Sequence, residues 1–167
     1  MDFLRTPSKL VTLEGMHGTA EVARPIPGVV VVTLVGHDAG ELANAIFTEI
    51  ETDLAIQAPL HLFVDAAQAS AASMTGSHVW ATWLAANVDR LGRVVMLASS
   101  RLAIVTCGFV KDASGLGERM EVMSDPFAFE RALRGSGTFP RISATWRIAN
   151  EPTPLPEDTI PAEDSTG

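Results

Sequence analysis

Three hydroxyls, Ser73, Thr75 and Ser77, lie within five residues of one another, around Met74 and Gly76 and just ahead of an apolar run that includes Trp80 and Trp83. Small polar residues in that place start helices. A hydroxyl there also sits beside free backbone amides and the positive end of a helix dipole, where a phosphate is stabilised. The candidate chemistry is therefore a phosphorylation switch, and the alternative is a plain helix cap. His78 follows directly, and Asp65 ends the apolar run "LFVD" that precedes the segment. A carboxylate in that place orients a loop by accepting amide protons, or it binds a ligand. His37 and Asp38 follow another apolar run, "VVVVTLVG", at the kind of sheet end where open α/β folds hold ligands; the plainer reading is that Asp38 caps the next helix.

Catalytic patterns are not found. The four histidines, His17, His37, His61 and His78, show no metal-binding spacing. His61 alternates with Leu60 and Leu62 and reads as structural. The single cysteine, Cys107, lies in "LAIVTCGFV" and reads as a buried, inert thiol. "SGLG" and "RGSG" lack the lysine of a phosphate loop, and there is no Gly-x-Ser-x-Gly elbow. The expectation is a chain without catalytic residues, metal or cofactor.

The chain has 167 residues, 47% of them hydrophobic, enough for one packed domain. A net charge of −8 argues against nucleic acid, which requires a basic stripe. Five of the acids and four prolines fall in Glu151–Gly167, which has no base and reads as a disordered acidic tail after a domain spanning 1–150. No apolar run reaches the length of a membrane span and no signal-peptide pattern opens the chain, so a cytoplasmic protein is expected.

The elements that must position these residues follow from periodicity. Lys9–Gly15 and Thr19–Pro25 alternate like half-exposed strands, and "PIPG" turns the chain into a buried strand, Val29–Val35. Asp38 with Glu41 predicts a capping box on a helix whose apolar stripe is Leu42, Ile46, Ile50 and Leu54, ended by Pro59. Leu60–Ala66 is a second buried strand. A helix from Gly76 is predicted to stop at Gly92, followed by a strand over Arg93–Ser99. Next come a helix over Ser100–Gly115, a strand over Glu118–Ser124 and a short helix with Asp125 as cap, Pro126 in the first turn and Gly135 as stop. Thr138–Asn150 is an edge strand or an ordered arm. The predicted fold is α/β: a mixed, largely parallel sheet of four to six strands with helices packed against it and an N-terminal antiparallel hairpin.

From about Thr19 to Arg134 this pattern resembles the STAS domain, the fold of anti-sigma-factor antagonists. The resemblance rests on "LFVDAAQASAASMTGSHVWATWL", placed where that family has an aspartate-ended strand, an Asp-Ser-Ser-Gly loop and a helix. It rests also on "SGLGERMEVMSD", which resembles the family's Gly-Leu link into its last strand. The resemblance implies a bacterial, non-enzymatic signalling module that binds a protein partner such as an anti-sigma or kinase-like regulator. With Gly76 on the family glycine, Ser73 falls on the aspartate, Met74 on the phosphorylated serine and Thr75 on the second hydroxyl. A methionine accepts no phosphate, so either the switch is lost or Ser73, Thr75 or Ser77 has taken it over. Asp65, Met74, Gly76, His78, Trp80 and Trp83 then make the expected partner or ligand surface, the other reading of Trp80 and Trp83 being core with one ring partly covered. The broader SpoIIAA-like group, distantly like lipid-carrier sheets, makes binding of a small apolar ligand the alternative. A homodimer through an edge strand or the Trp helix fits either.

Overall fold

The most apolar stretch of the chain becomes an interior strand because both of its sides have something to bury against. The computed structural model describes residues 10–70 and 73–136. The elements are β1 (Leu10–Glu14), β2 (Gly18–Ile26), β3 (Val29–Gly36), α1 (Glu41–Ile56), β4 (Leu60–Ala69), α2 (Met74–Ala86), β5 (Leu91–Leu97), α3 (Arg101–Ser114), a 3-10 turn (Gly117–Arg119), β6 (Met120–Met123) and α4 (Pro126–Gly135). They form one six-stranded sheet whose spatial order is the chain order. The pairings β1–β2 and β2–β3 are antiparallel, and those from β3 to β6 are parallel.

Sequential parallel strands put successive crossover helices on one side of a sheet, because each connection is right-handed. Accordingly Val30, Val32, Leu62 and Val64 share a core with Ile46 and Ile50 of α1, Trp80 and Leu84 of α2, and Val110 of α3. The alternate residues Val29, Val31, Phe63 and Val95 point the other way and meet Phe129 and Leu133 of α4. The strand–helix order, and the closure of α3 by Gly115 (φ 73°) with the buried Leu116 after it, are those the resemblance implies.

Local departures from the predicted elements have physical causes. The capping box on α1 does not form. Asp38 caps from outside the helix: its Oδ1 accepts from the amides of Gly40 (2.8 Å) and Leu42 (3.0 Å) and its Oδ2 from Ala43 (3.0 Å). Glu41 does not reach back to the cap; its Oε1 accepts from Met16 N at 2.9 Å instead. Strand β4 does not end at Asp65. It runs on to Ala69, because β3 still offers backbone partners, Val35 opposite Gln68 and Gly36 opposite Ala69, past an irregularity in register. Small residues that read as loop thus become strand when a neighbouring ladder is there to pair with.

Helix α2 begins two residues earlier than predicted and ends well before Gly92. Asn87 closes it: its amide donates to the carbonyls of Trp83 and Leu84, and its side-chain Nδ2 donates to Trp83 O at 2.9 Å. The chain then turns, and Gly92 falls inside β5. The predicted last strand is cut to Met120–Met123 by the 3-10 turn ahead of it. The expected arm at 138–150 and acidic tail at 151–167 lie outside the described residues. Among the described residues no helix is long and apolar enough to cross a membrane.

Candidate functional site

Parallel strands deliver their C-terminal ends to one end of the sheet, and the starts of α1 and α2 meet there. Gly40, at the start of α1, is close enough to the start of α2 that a Cβ placed on it would lie 3.5 Å from Val79 Cγ2 and 3.9 Å from Thr75 Cγ2. The structure therefore brings the His37–Asp38 loop beside the hydroxyl segment, although the two are far apart in sequence.

Ser73 is the N-cap of α2, and its Oγ accepts from Gly76 N at 3.0 Å. Ser77 Oγ donates to the Ser73 carbonyl at 3.0 Å, and its side chain is turned inward, leaving the residue 5% exposed. Gly76 is buried too. The solvent-facing part of the segment is thus Met74, Thr75 and His78, with Ser73 half-buried. Met74 is 88% exposed, the most exposed large apolar side chain among the described residues. It is an unbranched, adaptable apolar side chain presented to solvent on the first turn of a helix, available for burial against a second surface.

The remaining expected surface residues have other work. Trp80 is buried and meets Phe47 edge-on, with centroids 4.9 Å apart and planes at 81°. Trp83 stacks flat on the same ring at 4.5 Å, and its Nε1 donates to Glu51 Oε1 at 3.2 Å. Both tryptophans therefore join α1 to α2. Asp65 registers with Leu97, which belongs to the α4 side of the sheet, so strand alternation turns it away from α2. Its Oδ1 accepts from Ala67 N at 3.0 Å, and burial pushes its carboxyl above the ordinary aspartate range against that bond. Asp38 is consumed in capping α1, holding the amides of Gly40, Leu42 and Ala43.

Between α2, α3 and the sheet lies an apolar cavity of about 70 Å³, lined by Leu34, Val64, Trp80, Met96, Cys107 and Val110 among others. Clefts that hold drug-sized ligands measure roughly 300–1,000 Å³, so the space fits nothing larger than a very small apolar molecule. Cys107 is half-buried at its wall, and desolvation raises its thiol to about 11. His61 Nδ1 accepts from Arg93 N at 3.0 Å. Among the described residues no three His, Cys, Asp or Glu side chains are grouped to hold a metal ion.

One surface escaped the reading of the sequence. Leu102, Val105 and Phe109 of α3 are 65%, 64% and 52% exposed. The signal was present: "LAIVTCGFV" is apolar all round the helix, and only one side of a helix can face a sheet.

The chain matches no protein-family model and no curated protein. Among solved structures it is similar to an anti-sigma factor antagonist from Mycobacterium paratuberculosis, with a TM-score of 0.49 and 20% sequence identity over 77% of this chain and 97% of that one.

Proposed function

We propose that this chain is a non-enzymatic regulatory module that docks on a protein partner through the first turn of α2, in the manner the STAS resemblance implies, with Met74 as an apolar anchor where that family carries its phosphorylated serine. The observation that carries the reading is the exposure of Met74 at 88%, beside the solvent-facing Thr75 and His78. A flexible apolar side chain at the centre of a polar rim is the kind of residue that concentrates binding energy once desolvated. Of the three hydroxyls, Thr75 is the one exposed to a kinase; Ser77 is inside the fold and Ser73 is engaged as cap. Phosphate on Thr75 would act by placing charge in the middle of that contact, since the helix start itself tolerates an anion. The apolar-ligand alternative gains nothing from a cavity of about 70 Å³.

The test is calorimetric titration of the full chain against anti-sigma factors of its own organism. Binding that Met74→Glu weakens at least ~10-fold, with the thermal midpoint unchanged, supports the reading. Binding equally well with Met74→Glu and Thr75→Glu, or no binding to any of them, overturns it.

A further inference from the structure

Helix α3 presents to solvent a stripe that is complementary to itself. Arg101, Val105, Gly108 and Asp112, at intervals of four, three and four residues, lie on one face, flanked by Leu102 and Phe109 one heptad apart. The opposite face, through Ala103, Val110 and Ser114, is buried. The stripe is apolar in the middle, cationic at its start and anionic near its end. Arg101 and Asp112 are both exposed, and neither belongs to an ion pair among the described residues. Both also oppose their own helix dipole, which favours acids at the start and bases at the end.

We propose that α3 packs antiparallel against α3 of a second copy of this chain, forming a two-fold symmetric dimer. Placing Arg101 of one copy opposite Asp112 of the other fixes the register. The same register sets Val105 opposite Gly108, twice, by symmetry. Gly108 has open space where a Cβ would stand, so each Val105 enters a gap on the facing helix. Phe109 falls beside Leu102 of the other copy, on the same flank of the seam. Each misplaced charge then faces the favourable end of the other helix. A polar or unsymmetrical occupant would use neither the apolar centre nor the paired ends.

Helix α4, the last described element, packs on the other side of the sheet, and β1 is the opposite edge strand from β6. A seam of one helix per copy belongs below the ~1,200–2,000 Å² of standard complexes, so the dimer is weak and depends on concentration. It uses a different surface from the first turn of α2 and stands or falls independently of it.

Sedimentation equilibrium of the full chain from about 5 to about 500 µM tests this. The expected weight-average mass climbs from 17.7 kDa toward twice that value, and Phe109→Glu, an exposed position, holds it at the monomer with an unchanged circular dichroism spectrum. Arg101→Asp alone and Asp112→Arg alone are both monomeric, whereas a mixture of the two variants forms a heterodimer. A wild type that stays monomeric throughout the range overturns the proposal. So does a dimer indifferent to Phe109→Glu, which would lie on another surface, or one indifferent to the two charge reversals.

Discussion

Gly92 lies directly beneath the imidazole of His61: a Cβ on Gly92 would stand 2.7 Å from His61 Cε1 and 2.8 Å from Nδ1. The glycine is there to admit the ring, which accepts the amide of Arg93, the residue next to it. Gly92→Ala therefore displaces the imidazole and orphans that amide, at an expected cost of about 1–3 kcal/mol in urea unfolding. In a His61→Ala background the same substitution should cost no more than ~0.5 kcal/mol, because the clash is gone. Equal costs in both backgrounds would refute the relationship.

Ser73 is held by one hydrogen bond as cap of α2. Ser73→Ala should destabilise the fold by about 1 kcal/mol, and Ser73→Asp, which keeps an acceptor and adds a charge favourable to the helix dipole, should cost far less. Thermal melts of the two variants distinguish a cap from a hydroxyl with only a signalling role.

Arg24 ties β2 to α1. Its Nε donates to both carboxylate oxygens of Asp53, at 2.8 and 2.9 Å, and its Nη2 meets Glu49 Oε2 at 3.2 Å. The Arg24 and Asp53 side chains are only 8% and 12% exposed. Arg24→Ala leaves a carboxylate out of water without its cation and should cost about 3–5 kcal/mol; Arg24→Met combined with Asp53→Leu should recover most of that. A small loss for Arg24→Ala would mean that water reaches Asp53.

The Cys107 thiol, raised from 9.0 to about 11 by burial, carries about 100-fold less thiolate at pH 8 than an ordinary one. Iodoacetamide should modify the native chain at least that much more slowly than the urea-unfolded chain, with the native rate climbing only as the pH approaches 11. Fast native labelling at pH 8 would show an open cavity wall.

Asp65 gives a pH dependence of defined sign. Burial raises its carboxyl in the folded state, opposed by the Ala67 amide, above the ~3.9 of an unfolded aspartate. Folding therefore favours the protonated form. The stability this contributes is complete below about pH 4 and is lost as pH rises through the folded value. Relative to Asp65→Asn, the wild type should thus become less stable between pH 3.5 and pH 7 in urea titrations. A difference independent of pH would mean that Asp65 is hydrated.

The sequence by itself determined the alternation of strands and helices, because that information is local. The stripe Leu42, Ile46, Ile50, Leu54 fixed α1, the unbroken Val29–Val32 required a strand covered on both sides, and Asp125–Pro126 and Gly115 marked their helix ends through backbone preferences of their own. The hydroxyl segment at the start of α2 was legible for the same reason. What only the tertiary structure decided depended on neighbours distant in sequence. Strand β4 passes Asp65 because β3 is beside it, and Gly92 serves His61 rather than a helix end. Ser77 and Trp80 turn inward while Met74 stays out, since the sheet and Phe47 cover only one side of α2. The strand order and the exposed stripe of α3 belong to the same class: periodicity tells how much of a helix is apolar, and only packing tells which apolar side is left uncovered.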